Sequence, residues 1–340
     1  MEWQTADQRG DERIPMKESD LIESLAKTHG TRPFGADAET VPFDGTNLLV
    51  STDSFSERED FLSGLVPEAM GRTMAYGAIA DILACGAKPE FLVQAWNMDD
   101  SHDERFYGHV AQGVQQVVSH YGAKVVGGDI GSAKEWCWTA TAFASCKTPV
   151  RRIASRREDF DLHATGLFGA ANVAAFLGRP IPEPALRDPV PGNALFATDA
   201  SGGLFDAIEN FRRVNPGMWL EIDAERAVAP EVARNLPPGA EPGWSLVGGV
   251  GEYELVFAVP AGTPVAGSVK IGRGGFAAHG GRGVDGVGRE RASHHRGESV
   301  PSRDAPRHWL QDRGRRHPQA LQDQGRRHPP RRRRNRLRAS

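Results

Sequence analysis

Four aspartates of the first half stand where a carboxylate can do chemistry, Asp37 in FGADAE, Asp53 in LLVSTDSF, Asp81 in AIADILACGA and Asp129 in VVGGDIGS, and Asp199 in ATDASGGL repeats the plan of an apolar strand, a carboxylate and then glycines. Asp53, Asp129 and Asp199 each close an apolar run, and Asp81 has Ile79, Ile82 and Leu83 as neighbours. A carboxylate set among apolar side chains is costly unless it meets a cation or a donor. Several converging carboxylates make an oxygen-only ligand set, suited to Mg²⁺ bridging the phosphates of a nucleotide. Each aspartate alone reads more readily as a solvated loop residue or a helix cap; their recurrence beside glycine favours a shared site. The pair Gly127-Gly128 ahead of Asp129 suggests backbone that approaches something closely, with a charge held next to it. An ordinary tight turn is the alternative. No GxxxxGK[ST] occurs, so a Walker-type phosphate loop is excluded.

The elements that must carry these residues alternate between strand and helix patterns. TNLLVSTD (46–53) reads as a strand, and GRTMAYGAIADILACGAKP (71–89) as a helix with Met74, Ala78, Ile82 and Cys85 on one face. EFLVQAW (90–96) is a strand, and 103–122 a helix with Phe106, Val110, Val114, Val117, Val118 and Tyr121 inward. AKVVGGD and EWCWTATAFASC (135–146) are further strands, the first ending at Gly127-Gly128-Asp129. After a polar stretch at 147–161 the plan recurs: strand, short helix, a Pro-rich connector at 179–192, then the strand of NALFATDASGG (193–203). One helix over ERAVAPEVARNL, a strand over GEYELVFAVP (251–260) and a last strand over SVKIG (268–272) follow. This is an α+β chain of α/β-sandwich type. The expected division is a flexible 1–20, domains at 21–150 and 151–272, and a disordered 273–340.

Composition sets the remaining bounds. Residues 273–340 hold 18 Arg, no Lys and a balance of +12, which leaves −15 on residues 1–272 of a chain whose net charge is −3. The tail, with its repeat LQDRGRRHP and LQDQGRRHP, has too few apolar residues to offset chain entropy. Its Arg/Gly/His/Pro bias reads as out-of-frame translation. Trp309 is its single aromatic after Phe276, which argues against a nucleic-acid partner. Cys85, Cys137 and Cys146 show no CxxC spacing and read as reduced thiols. No run is long and apolar enough for a membrane span, so the expected location is the cytoplasm.

The ordered series FGADAE, LLVSTDSF, AYGAIADILACGAKP, VVGGDIGS, TGLFGAA, ATDASGGL and EYELVF resembles thiamine-monophosphate kinase, a member of the superfamily of aminoimidazole ribonucleotide synthetase and selenophosphate synthetase. The resemblance spans about residues 20–272. It implies a two-domain subunit whose first domains pair as a homodimer, with ATP and Mg²⁺ as cofactors and a small phosphorylated substrate as acceptor. It further implies that Asp37, Asp53, Asp81 and Asp129 hold metal. Gly127, Gly128, Asp129, Ser51 and Thr52 would bind nucleotide, Asp129 and Asp199 would serve transfer, and Asp60, Phe61 and Tyr253 would face the acceptor.

The chain departs from that pattern at several positions. Ala36 replaces one Asp of the first motif, and Ala78 and Ala80 stand where the family has Asn and Ser. Gly202 replaces the second Asp of Asp-x-Ser-Asp-Gly, Gly251 and Glu252 replace a Glu-Asp pair, and Asp60 replaces a His. The alternatives are therefore a related synthetase-like enzyme of another cofactor pathway, such as methanopterin assembly, and a degenerate paralogue that binds nucleotide without turnover.

Overall fold

The computed structural model describes residues 18–277 apart from 32, 61, 237 and 238. The expectations for Phe61, for most of the flexible N-terminus and for the tail beyond 277 lie outside the described residues.

The first half runs α1 (Glu18–His29), β1 (Glu39–Phe43), β2 (Thr46–Ser56), α2 (Pro67–Ala84), β3 (Phe91–Met98), α3 (Glu104–His120), β4 (Lys124–Ser132) and β5 (Cys137–Cys146). Its sheet has the order β1-β2-β5-β3-β4, with only β3 and β4 parallel. The hairpin β1–β2 turns on Asp44-Gly45, both at positive φ, the conformation a two-residue Asp-Gly turn supplies. The sequence reading had no strand at β1, although that dipeptide was its signal.

One sheet face packs on α2 and α3: Leu49, Ser51 and Phe55 of β2 and Trp138, Ala140 and Ala142 of β5 are buried there. The opposite face is open, with Val41, Phe43, Thr52 and Ser54 exposed. Asp103 caps α3 by accepting from the Phe106 N–H, and Val110, Val114, Val117 and Val118 turn inward. Helix α2 is buried on nearly all sides, because it is covered by α3 and the first sheet and also touches β7 and β9 of the second. A helix apolar all round is a core helix, so the single expected face was too narrow.

The second half runs β6 (Phe160–Ala164), α4 (Ala170–Phe176), β7 (Phe196–Asp199), α5 (Gly203–Val214), β8 (Met218–Ile222), α6 (Ala224–Ala227), α7 (Pro230–Asn235), β9 (Leu255–Pro260) and β10 (Val269–Phe276). Its five strands are antiparallel, in the order β7-β9-β6-β10-β8.

Four expectations are corrected here. The helix expected over ERAVAPEVARNL is two helices, because Pro230 has no N–H for a continuous ladder and opens α7. The strand β9 begins at Leu255, not 251, because Tyr253 sits at φ 56° and breaks extension. The strand β10 continues past 272 to Phe276, pairing with β8.

The fourth concerns β4, which does not end at Gly127-Gly128-Asp129. It runs on to Ser132, paired residue by residue with Val93–Met98. A Cβ on Gly128 would lie 1.8 Å from the Gln94 carbonyl oxygen, so this glycine lets two strands approach each other.

Candidate functional site

Asp37 lies in the loop before β1, Asp81 in the C-terminal half of α2, and Asp199 at the end of β7. These three elements are distant in sequence, yet one carboxylate oxygen from each lies within 4.8 Å of the others. The Ser51 hydroxyl, projecting from β2 beneath α2, donates to Asp81 Oδ2 at 2.5 Å. Thr198 Oγ1 donates to Asp37 Oδ1 at 2.8 Å and accepts from Arg152 Nε at 3.0 Å. Arg152 Nη2 also pairs with Asp37. Asp199 Oδ2 accepts from the Ser201 N–H at 3.1 Å, which fixes the turn into α5.

Electrostatics in this group are strained. Burial, and then the charge of Asp81, push Asp37 up to about 7 against the pull of Arg152. Burial with Asp81 and Asp60 pushes Asp53 up to about 7. Burial also raises Asp81, and raises Asp199 well above the ordinary carboxylate range with Asp81 and Asp37 as repelling neighbours. One guanidinium, that of Arg152, faces the three carboxylates of Asp37, Asp81 and Asp199, so the site favours either bound protons or a cation. Its donors are all hard oxygens, which suits Mg²⁺.

A second arm extends from Asp53 to Asp60 and Tyr253. Asp60, pushed up to about 6 by burial, accepts from the Ser56 N–H at 2.7 Å. Burial raises Tyr253 well above its usual range, with Asp60, Asp53, Asp199 and Asp81 adding to the effect. A Cβ on Gly77 would meet Phe55 at 2.7 Å and Tyr253 at 3.0 Å, so the missing side chain in α2 makes room for that ring.

The expected residues thus divide. Asp37, Asp81 and Asp199 come together, with Ser51 bonded to them and Asp53 beside Asp81. Asp129, Gly127 and Gly128 do not join this group; all three are exposed on β4. Two strands separate β2 from β4, about 14 Å at ordinary strand spacing. The register also sets Asp129 level with Ala95 and Thr139, on the open face, whereas Asp53 pairs with Ala140 on the helix side. Thr52 likewise points to the open face and bonds Thr141 at 2.9 Å, so the expected pair Ser51-Thr52 is split between faces.

Arg152, Thr198 and Gly77 went unnoticed in the sequence. Arg152 is one of four arginines between 151 and 157, and only the pairing of distant segments singles it out. Thr198 had a signal, since it directly precedes Asp199 on a strand.

This frame is that of an α+β AIR synthase-like protein. Residues 35–146 match the family model "AIR synthase related protein, N-terminal domain". The chain is 25% identical over 260 residues to thiamine-monophosphate kinase of Pyrococcus horikoshii, covering 72% of this chain and 83% of that one. It is 28% identical over 260 residues to the Methanospirillum hungatei enzyme, covering 71% and 85%. Among solved structures it is similar to AaThiL, the Aquifex aeolicus enzyme, complexed with AMPPCP and TMP (TM-score 0.67, 21% identity, 78% of this chain and 94% of that one). The first half thus carries an AIR synthase-related N-terminal domain, and over most of its length the chain is similar to thiamine-monophosphate kinases. Among the described residues, no helix is long and apolar enough to cross a membrane.

Proposed function

We propose that this protein transfers the γ-phosphoryl group of ATP to thiamine monophosphate, forming thiamine diphosphate and ADP. The observation that carries the reading is the convergence of Asp37, Asp81 and Asp199 from three distant elements into one oxygen-donor group. Phosphoryl transfer needs positioning and neutralisation of charge more than a covalent nucleophile. Asp37, Asp81 and Asp199, with Asp53 alongside, would hold Mg²⁺. Bound there, the metal supplies the positive charge that screens the phosphates of nucleotide and acceptor from these carboxylates. Arg152 tethers Asp37 and offers the site's own cation, Ser51 orients Asp81, and the Ser201 N–H orients Asp199. Asp60, Phe61 and Tyr253 are assigned to the acceptor.

Asp129 and the neighbouring glycines contribute from the open face. Exposed Val41 and Phe43 on that face support pairing of two first domains across it, which would bring Asp129 to a nucleotide shared by the pair. The test is ADP formation by the full chain with Mg²⁺, with and without thiamine monophosphate. Joint production of ADP and thiamine diphosphate supports the reading; Mg-dependent ATP binding without product points to another acceptor. Asp60 is the observation that favours that second reading, because it is a half-buried carboxylate among the residues assigned to the acceptor.

A further inference from the structure

Of the chain's four tyrosines, Tyr253 alone has its backbone in the left-handed region, at φ 56°. That conformation is unfavourable for so bulky a residue. It persists only where the surrounding structure over-determines it, and such residues gather at functional sites.

The contacts that over-determine it lie on both sides. Upstream, the Val250 N–H bonds Asn172 Oδ1 at 3.0 Å and the Gly251 N–H bonds the Ser201 carbonyl at 2.9 Å. Glu252 Oε1 then accepts from the Gly169 N–H at 2.8 Å and the Ala171 N–H at 2.9 Å, which fastens the segment to the start of α4. Downstream, Glu254 is held by Arg187, through Nε to Oε2 at 2.7 Å and Nη2 to Oε1 at 2.5 Å. Thr165 Oγ1 donates to Glu254 Oε2 at 2.6 Å and accepts from the Leu255 N–H at 2.9 Å. Between these anchors the Tyr253 ring lies against the gap that Gly77 leaves in α2, and the charges of Asp60, Asp53, Asp199 and Asp81 act on its phenol.

We infer that Glu252 and Glu254 are positioning residues: fastened to α4 on one side and to Arg187 and Thr165 on the other, they hold Tyr253 in its left-handed conformation and so keep its ring in place for the acceptor. The inference rests on the acceptor role given to Tyr253 above. It makes acceptor recognition, and not nucleotide binding, depend on two carboxylates outside the metal-binding group.

The full chain labelled with ¹³C-tyrosine tests it. Its Tyr253 signals, identified by their loss in Tyr253→Phe, report the backbone conformation through the Cα and Cβ shifts. Glu252→Ala removes the upstream anchor. Glu252→Gln keeps an oxygen for both N–H groups, and a neutral side chain suffices there because Glu252 Oε2 is buried without a hydrogen-bond partner. Thr165→Val keeps the shape and removes the hydroxyl that Glu254 and Leu255 share. In the Ala and Val variants the Tyr253 signals should move toward extended values, and in the Gln variant they should stay. With Mg-ATP and thiamine monophosphate, the acceptor KM should rise about 10-fold in the Ala and Val variants, because binding must restore the left-handed backbone. The nucleotide KM should stay in place.

Unmoved Tyr253 signals in Glu252→Ala would overturn the role of Glu252, and in Thr165→Val that of Glu254. Equal movement of the Tyr76 and Tyr107 signals would mean general loosening and overturn both. A Gln variant that moves like the Ala variant would overturn the anchoring by Oε1. A relaxed Tyr253 with an unchanged acceptor KM would sink the acceptor role of Tyr253 and leave the positioning role standing. The tyrosine signals also decide the positioning in a protein that turns over no thiamine monophosphate.

Discussion

Asp81→Asn should stabilise the metal-free protein while removing its response to Mg²⁺. Asp81 is the hub of the carboxylate group: its charge raises Asp37, Asp53 and Asp199 alike. Two of those carboxylates lie within 4.8 Å of it. At an effective dielectric constant of about 20, each fully charged pair at that distance repels by about 3 kcal/mol. The neighbours are partly protonated near neutral pH, so the realised gain on removing one charge is about 1–2 kcal/mol. Asparagine keeps an oxygen to accept the Ser51 hydroxyl, and the shape of the buried side chain is conserved. If Asp81 were a structural carboxylate anchored by Ser51 and Arg152, the same substitution would instead cost about 1–3 kcal/mol.

The two accounts differ in sign, which a thermal melt reads directly. In EDTA the variant should melt above wild type by roughly 3–6 °C. Adding Mg²⁺ should raise the wild-type midpoint and leave the variant where it was. A variant that melts lower without metal, or that keeps the full Mg²⁺ shift, refutes the reasoning.

Three further outcomes are expected. Asp37 and Asp53 fold with carboxyls at about 7 against 3.8; the unfolded chain releases these protons from about pH 4 and the folded chain only near 7, so metal-free stability should fall as pH rises through that window. Urea unfolding across pH checks the slope, and a metal-free stability that rises there counts against it. Gly251→Ala should destabilise by at least about 2 kcal/mol, because its Cβ would lie 1.7 Å from the Ala200 carbonyl oxygen and 2.6 Å from both Gly203 N and Ser201 O, all of them backbone; a wild-type urea midpoint would disprove the packing. Gly202→Asp should not improve Mg²⁺ binding alone, because its Cβ would come within 2.9 Å of Asp206 Cβ and Cγ, whereas Gly202→Asp with Asp206→Gly, which removes those atoms, should; Mg²⁺ titrations of the melting midpoint separate the two.

Local pattern revealed most elements, and the failures share a cause. Helix α3 was legible because its cap, its valine spacing and its exposed face all agree within 17 residues. The break at Pro230 and the Asp44-Gly45 hairpin were also written locally, and better reading of turn chemistry would have found them. The end of β4 was different. Gly127-Gly128 reads as a stop from within its own segment, and only the parallel neighbour β3 turns it into a continuing strand. The triad shows the same limit: Asp37, Asp53, Asp81 and Asp129 were marked as one carboxylate group and Asp199 only as the end of a similar strand, but which three meet depends on α2 lying against both sheets.

The departures from the family pattern gain a physical sense from that packing. Gly251 and Gly202 each face the turn after Asp199, the first against its backbone and the second against Asp206. Gly251 N–H bonds the Ser201 carbonyl at 2.9 Å, so the segment holding Tyr253 is laid directly on the loop that orients Asp199. A carboxylate at 251 would have to separate those two loops. The glycines and the placement of Tyr253 are thus one coupled arrangement, and restoring a single motif residue should disturb the segment holding Tyr253 before it improves Mg²⁺ binding by the carboxylate group.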